Sequence, residues 1–146
     1  MKPLVFDIPA YAHIVRVKDE PYNSWFNIQY DTVQATLYVS FQTLPSKNNL
    51  KREIEVGKRL TMEHAVKATA IKQRNIGFSQ RSVFCSFYTL EGNVASPLQF
   101  FLTDSTTHYL RGALYFKEAT QRDSIQPVVD FLEEDLLKMI ESLRWK

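Results

Sequence analysis

The 146-residue chain has a single cysteine, four glycines, almost no charge imbalance and no long apolar run. Each of these scarcities excludes something. With only Cys85 there is no disulfide within the chain and no site built from several thiolates. The glycines stand apart at positions 57, 77, 92 and 112, so no glycine-rich phosphate loop exists. CxxC, HExxH, GxSxG and acidic calcium-loop motifs are missing too, which disfavours a nucleotide-dependent or zinc enzyme and leaves no cofactor or metal expected. Lys and Arg number 18 against 16 Asp and Glu, a net +2. That is too small a surplus for a chain that lives by neutralising nucleic-acid phosphates. No stretch approaches the roughly 18 apolar residues of a membrane-spanning helix. At the amino terminus Pro3 and Asp7 arrive too early for a signal-peptide apolar region.

What is present is ordinary globular material, 45% hydrophobic and 23% charged. A chain of this length buries roughly 70% of its unfolded surface without staples. One domain over residues 1–146 is expected, with residues 1–9 an extended lead-in. Alternation begins at Tyr11, with His13, Val15 and Val17 on one face and Ile14, Arg16 and Lys18 on the other. Further strands are read over Trp25–Tyr30 and Val33–Gln42, close enough in sequence to form a hairpin across Asp31-Thr32. Pro45-Ser46-Lys47-Asn48-Asn49 then offers caps, and the period turns helical over Leu50–Lys67. Gly57 and Ala65 in its apolar stripe point to close packing on a sheet. Four more strands follow, over Thr69–Asn75, Arg81–Leu90, Ala95–Thr103 and His108–Lys117, with a turn expected at Gly77-Phe78-Ser79-Gln80. The last helix spans Ser124–Leu143, with Asp123 as N-cap, Gln126 completing a capping box and Pro127 in its first turn. The fold class is α+β: an antiparallel sheet of about seven strands with two main helices. Trp145 is too apolar to end a loose tail.

Few residues invite a chemical reading. Cys85 lies in Ser82-Val83-Phe84-Cys85-Ser86-Phe87-Tyr88 and reads as a small buried hydrophobe. It leaves the redox compartment open. His64, on the apolar stripe of the first helix, has no second ligand at a neighbouring face position apart from Glu63 and reads as structural. Asp104, Ser105 and His108 resemble hydrolase parts, but residues this close in one hairpin read as turn chemistry. Arg111 shares a strand face with Tyr109, Ala113 and Tyr115. Its guanidinium is expected to lie on a ring or fork to a carboxylate. With Gln99 on the preceding strand it suggests a polar cluster near the turn Asp104–Thr107. Gln99, Asp104, His108, Tyr109 and Arg111 are the candidate partner contacts, and no catalytic residue is assigned. Aromatic residues reach 13%. Rings left over on an open sheet face would mark a protein or ligand surface.

The block from Ala95 to Phe116, with Gln99-Phe100-Phe101-Leu102-Thr103-Asp104-Ser105-Thr106-Thr107-His108-Tyr109-Leu110-Arg111-Gly112 at its heart, resembles the signature of the gliding motility lipoprotein GldD family of Bacteroidetes-type bacteria. Leu60–Ala68 and the ending Val128–Lys146 are similar to that family as well. The resemblance implies a periplasm-facing lipoprotein of the cell envelope, tethered to the membrane through a lipidated Cys and leader upstream of this domain. Met1 is then read as a start placed on a domain separated from that leader. It further implies a non-enzymatic accessory of the gliding and associated secretion machinery, an assembly or adaptor domain whose partners are other envelope proteins. No nucleic acid is among them. The alternative is a small-ligand or lipid-binding periplasmic domain, hydrolysis included. The order of strands and helices is also similar to the Mog1/PsbP-like fold, in which helices sandwich an antiparallel sheet.

Overall fold

The computed structural model describes residues 4–117 and 122–146, the side chains of Arg122 and Asp123 excepted. Its strands are β1 (Leu4–Val5), β2 (His13–Glu20), β3 (Asn23–Tyr30), β4 (Ala35–Thr43), β5 (Ala70–Phe78), β6 (Val83–Glu91), β7 (Leu98–Thr103), β8 (His108–Phe116) and β9 (Arg144–Trp145). Helix α1 runs from Lys47 to His64 and α2 from Arg122 to Ser142. Seven strands form one antiparallel sheet in the order β2-β3-β4-β8-β7-β6-β5, while β1 and β9 pair apart as a short ribbon. This is the expected α+β architecture, with α1 and α2 on opposite faces of the sheet.

The two faces differ in how completely they are covered. On the α2 side, Leu37, Leu98, Phe100, Leu110 and Leu114 meet Val129, Leu132, Leu136, Met139, Ile140 and Leu143. Each such side chain contributes about 1.5–3 kcal/mol relative to exposure, so this layer dominates stability. Strand β8 sits at the centre of the sheet, and its neighbour β7 is buried at all of its positions. On the other side α1 packs over β7 and β8. Only Leu50, Gly57 and Thr61 of α1 are fully buried. Leu50 joins Tyr88, Leu90, Phe101 and Tyr109 in a second, smaller cluster. Among the described residues α1 reaches β4 at its end, where Gln42 Nε2 donates to Glu53 Oε2 at 3.5 Å, and leaves β2, β3 and the rest of β4 uncovered on this side.

Several boundaries differ from the sequence expectation for local reasons. Helix α1 starts three residues early because Ser46 Oγ accepts from Asn49 N at 3.3 Å and so caps Lys47. Strand β5 continues through Gly77 and Phe78, which pair with Phe84 and Val83, so the expected turn there is displaced. The chain reverses instead on Ser79–Arg81, with Ser82 in the left-handed region at φ 52°. The β3–β4 connection repeats this device, with Gln34 at φ 53°. Pro127 falls inside α2 rather than in its first turn, where it forfeits one helical hydrogen bond. The expected Asp123 cap lies outside the described side chains. A β-bulge between Arg16 and Lys18 interrupts the alternation of β2. Beyond it Lys18, not Val17, pairs with Trp25, so Lys18 joins the face of His13 and Val15.

Candidate functional site

Helix α1 lays Gly57, Thr61 and His64 along one stripe, at helical spacing, over β7 and β8. Gly57 permits the approach: a Cβ there would overlap the Tyr109 hydroxyl. Thr61 Oγ1 donates to Gly57 O at 3.0 Å and lies 3.3 Å from Gln99 Oε1. Gln99 is wholly buried, and its amide is oriented from both ends. Its Nε2 donates to Ser96 O at 3.2 Å, which turns Oε1 toward Arg111, whose Nη2 donates to it at 2.6 Å. The expected carboxylate or ring under Arg111 is therefore replaced by a neutral amide. No ion pair among the described residues includes Arg111. Its half-buried charge is thus held in place without being neutralised. His64 Nε2 lies 2.9 Å from Tyr115 Oη, closing the lower end of the helix onto β8.

Beside this seam the uncovered strands form an open trough of about 1160 Å³. Its floor is set by strand register. Trp25, Ser40 and Arg111 stand in one cross-strand row, and Asn27, Tyr38 and Ala113 in the next. Gln29, Thr36 and Tyr115 make the third. The rings of Trp25, Tyr38 and Tyr115 consequently run diagonally across three strands, where neighbouring positions are roughly 7–8 Å apart. Tyr38 and Tyr115 meet edge to face at 5.5 Å. Trp25 is 46% exposed and Tyr38 50%. The bulge in β2 sets Lys18 Nζ 5.0 Å from the Trp25 ring. The first row thus carries a cation at each end.

Asp104 and His108 occupy a different place. Asp104 Oδ1 accepts the backbone N–H of Thr106, Thr107 and His108, and Oδ2 faces His108 Nδ1 at 2.5 Å. Burial opposes ionisation of Asp104, but the bonds from His108 and the Thr106 and His108 backbone outweigh it and hold the carboxyl at about 2. The His108 ring stacks on Phe41 and Trp145, on the α2 side of the sheet. The pair is built as a turn anchor. Among the described residues no group of three or more His, Cys, Asp or Glu is placed to hold a metal ion.

The model of the gliding motility lipoprotein GldD family matches residues 2–145. The chain belongs to that family. No curated protein and no solved structure matches it, so the Mog1/PsbP likeness rests on the layering alone. A GldD-family lipoprotein is anchored to the membrane of the cell envelope, and no helix among the described residues is long and apolar enough to cross one.

In this GldD-family domain the structure brings Gln99, Tyr109 and Arg111 together under α1 and sets Asp104 and His108 apart, at the turn. Tyr109 is buried beneath Gly57, its hydroxyl without a partner, so of the five only Arg111 reaches the trough. Residue-by-residue reading missed Asn27, Gln29, Thr36 and Ser40 as site residues. The available signal was the predicted β3–β4 hairpin, whose alternation puts polar positions and two of the rings on one face.

Proposed function

We propose that this domain is a non-enzymatic adaptor of the gliding and associated secretion machinery, holding an envelope component in the trough over β2, β3, β4 and β8. The observation that carries the reading is the unroofed half-sheet with its diagonal of rings, Trp25 and Tyr38 exposed and Tyr115 half-buried, and its un-neutralised Arg111. Trp, Tyr and Arg are the residues that dominate binding energy at docking surfaces. The Asp104–His108 pair supports the non-enzymatic part, because its hydrogen-bonding capacity is spent on the turn and its ring is stacked between two others.

In a membrane-tethered, periplasm-facing lipoprotein, chain geometry would set the trough away from the anchor. Leu4 pairs with Trp145, which stacks on His108 beside the β7–β8 turn. The trough opens at the other end of the sheet, toward Asp31, Gln34 and Lys117. A tether entering at Leu4 leaves the trough facing away from the membrane.

The test uses the full-length lipoprotein in a gliding bacterium. Tyr38→Glu places a charge in the trough at a half-exposed position, where folding tolerates it. The variant is expected to reach wild-type levels in the envelope and to abolish gliding. Normal gliding at wild-type levels would overturn the adaptor reading.

A further inference from the structure

We propose that the occupant of the trough is a glycan chain carrying carboxylate groups, bound with one carboxylate on Arg111 and sugar rings laid along the Trp25–Tyr38–Tyr115 diagonal. This rests on the reading of the trough as the docking face and names what docks there. The first ground is the composition of the floor. Between the rings stand Asn27, Gln29, Thr36 and Ser40, and none of these side chains has a hydrogen-bond partner among the described residues. An apolar occupant, a lipid chain or an aliphatic protein knob, would bury them dry at about 1–3 kcal/mol each. Aliphatic side chains to receive such an occupant are few: of the four in the lining, Ala35, Val39 and Ala113 are buried in the sheet and Val17 stands exposed at the edge. The occupant must therefore alternate flat apolar patches with closely spaced hydroxyls. Sugar rings do so: their C–H faces stack on aromatic rings while their edges present donors and acceptors to amides and hydroxyls.

An extended peptide fits this floor less well. Its backbone N–H and C=O groups need a strand edge to pair with, and the trough is a sheet face, whose own backbone groups are already paired between β3, β4 and β8.

The second ground is charge. Arg111 is fixed through one guanidinium nitrogen by a neutral amide, and the rest of the fork is left for a ligand. A carboxylate satisfies such a fork with two parallel hydrogen bonds and supplies the missing countercharge. Lys18 pairs with Trp25 at the edge of the sheet but is not among the residues that line the trough. Lys18 is partly balanced by Glu20 at 3.4 Å, so Arg111 is the principal anion site.

The experiment titrates the isotopically labelled domain with tetragalacturonic acid and, separately, with neutral cellotetraose, reading the indole N–H resonance of Trp25. Tetragalacturonic acid is expected to shift that resonance with a Kd of about 0.1–1 mM, an affinity of roughly 4–5.5 kcal/mol. Cellotetraose is expected to bind at least about fivefold more weakly. Arg111→Gln should bring the acidic sugar down to the neutral one's affinity, and Arg111→Lys should recover only part of the difference. Tyr38→Ala, at an exposed position that folding tolerates, should abolish both. The proposal is overturned by any of three results: neither sugar shifts Trp25, both bind equally, or binding survives Tyr38→Ala. Sugar binding absent while Tyr38→Glu still abolishes gliding would assign the trough to a protein partner and leave the adaptor reading standing. Sugar binding present with normal gliding in Tyr38→Glu would do the reverse.

Discussion

Gly57 provides a prediction in which local propensity and tertiary packing disagree in sign. It lies in the interior of α1, where replacing Gly by Ala is worth about 1 kcal/mol of helix stability. The added Cβ would meet the Tyr109 hydroxyl well inside contact distance, while the ring carbon behind it stands at an ordinary 3.5 Å. The conflict is thus confined to one oxygen. That oxygen has little room to retreat, because Tyr109 is 2% exposed and its ring stacks on Phe101 at 5.9 Å. Lifting α1 instead would stretch the Thr61–Gln99 contact. Overpacking of this kind costs about 1–3 kcal/mol, and the fixed ring argues for the upper end. Gly57→Ala should therefore destabilise by about 2 kcal/mol net, lowering Tm by roughly 4–8 °C at this chain length. Tyr109→Phe deletes an oxygen that has no hydrogen-bond partner and should be neutral or stabilising by up to about 1 kcal/mol. In that background Gly57→Ala recovers its helical advantage, so the double-mutant cycle should show a coupling of roughly 3 kcal/mol. Thermal and urea unfolding of the four proteins measures it. A Tm raised by Gly57→Ala alone, or additive effects in the cycle, would refute the packing argument.

Two further outcomes follow from titrating groups. The Asp104 carboxyl is lowered from 3.8 to about 2 in the fold, so its stabilisation is complete above about pH 4 and is lost as pH falls through 2. After allowance for partial solvation it is worth about 1–2 kcal/mol. Asp104→Ala should flatten the acid limb of the urea midpoint between pH 5 and 2; an unchanged limb would show that the carboxylate is not the anchor of the β7–β8 turn. Burial pushes the Cys85 thiol up to about 12, against a smaller opposing effect of Arg74, and leaves it 4% exposed. A thiol reagent should label it far faster in urea than in native buffer, and rapid native labelling would contradict the placement.

The chain's local patterns determined most of its elements. Period-2 alternation marked the seven strands of the sheet, the change to helical period after Pro45 marked α1, and the apolar stripe from Ile125 to Leu143 marked α2, because each signal lies within a single run of residues. The burial of Cys85 and the close approach at Gly57 were legible for the same reason. The GldD-family block was legible as well, since it is a continuous stretch. Tertiary structure alone decided the rest. The bulge at Val17 reverses the face of Lys18, and only pairing with β3 exposes it. Gln99 and Arg111 meet through the β7–β8 register and the orienting bond to Ser96. The diagonal of Trp25, Tyr38 and Tyr115 joins residues up to ninety positions apart, aligned by strand order rather than by any spacing along the chain. That α1 covers β7 and β8 and leaves β2, β3 and most of β4 open is likewise a matter of where a helix comes to rest, which its own amphipathic stripe does not specify.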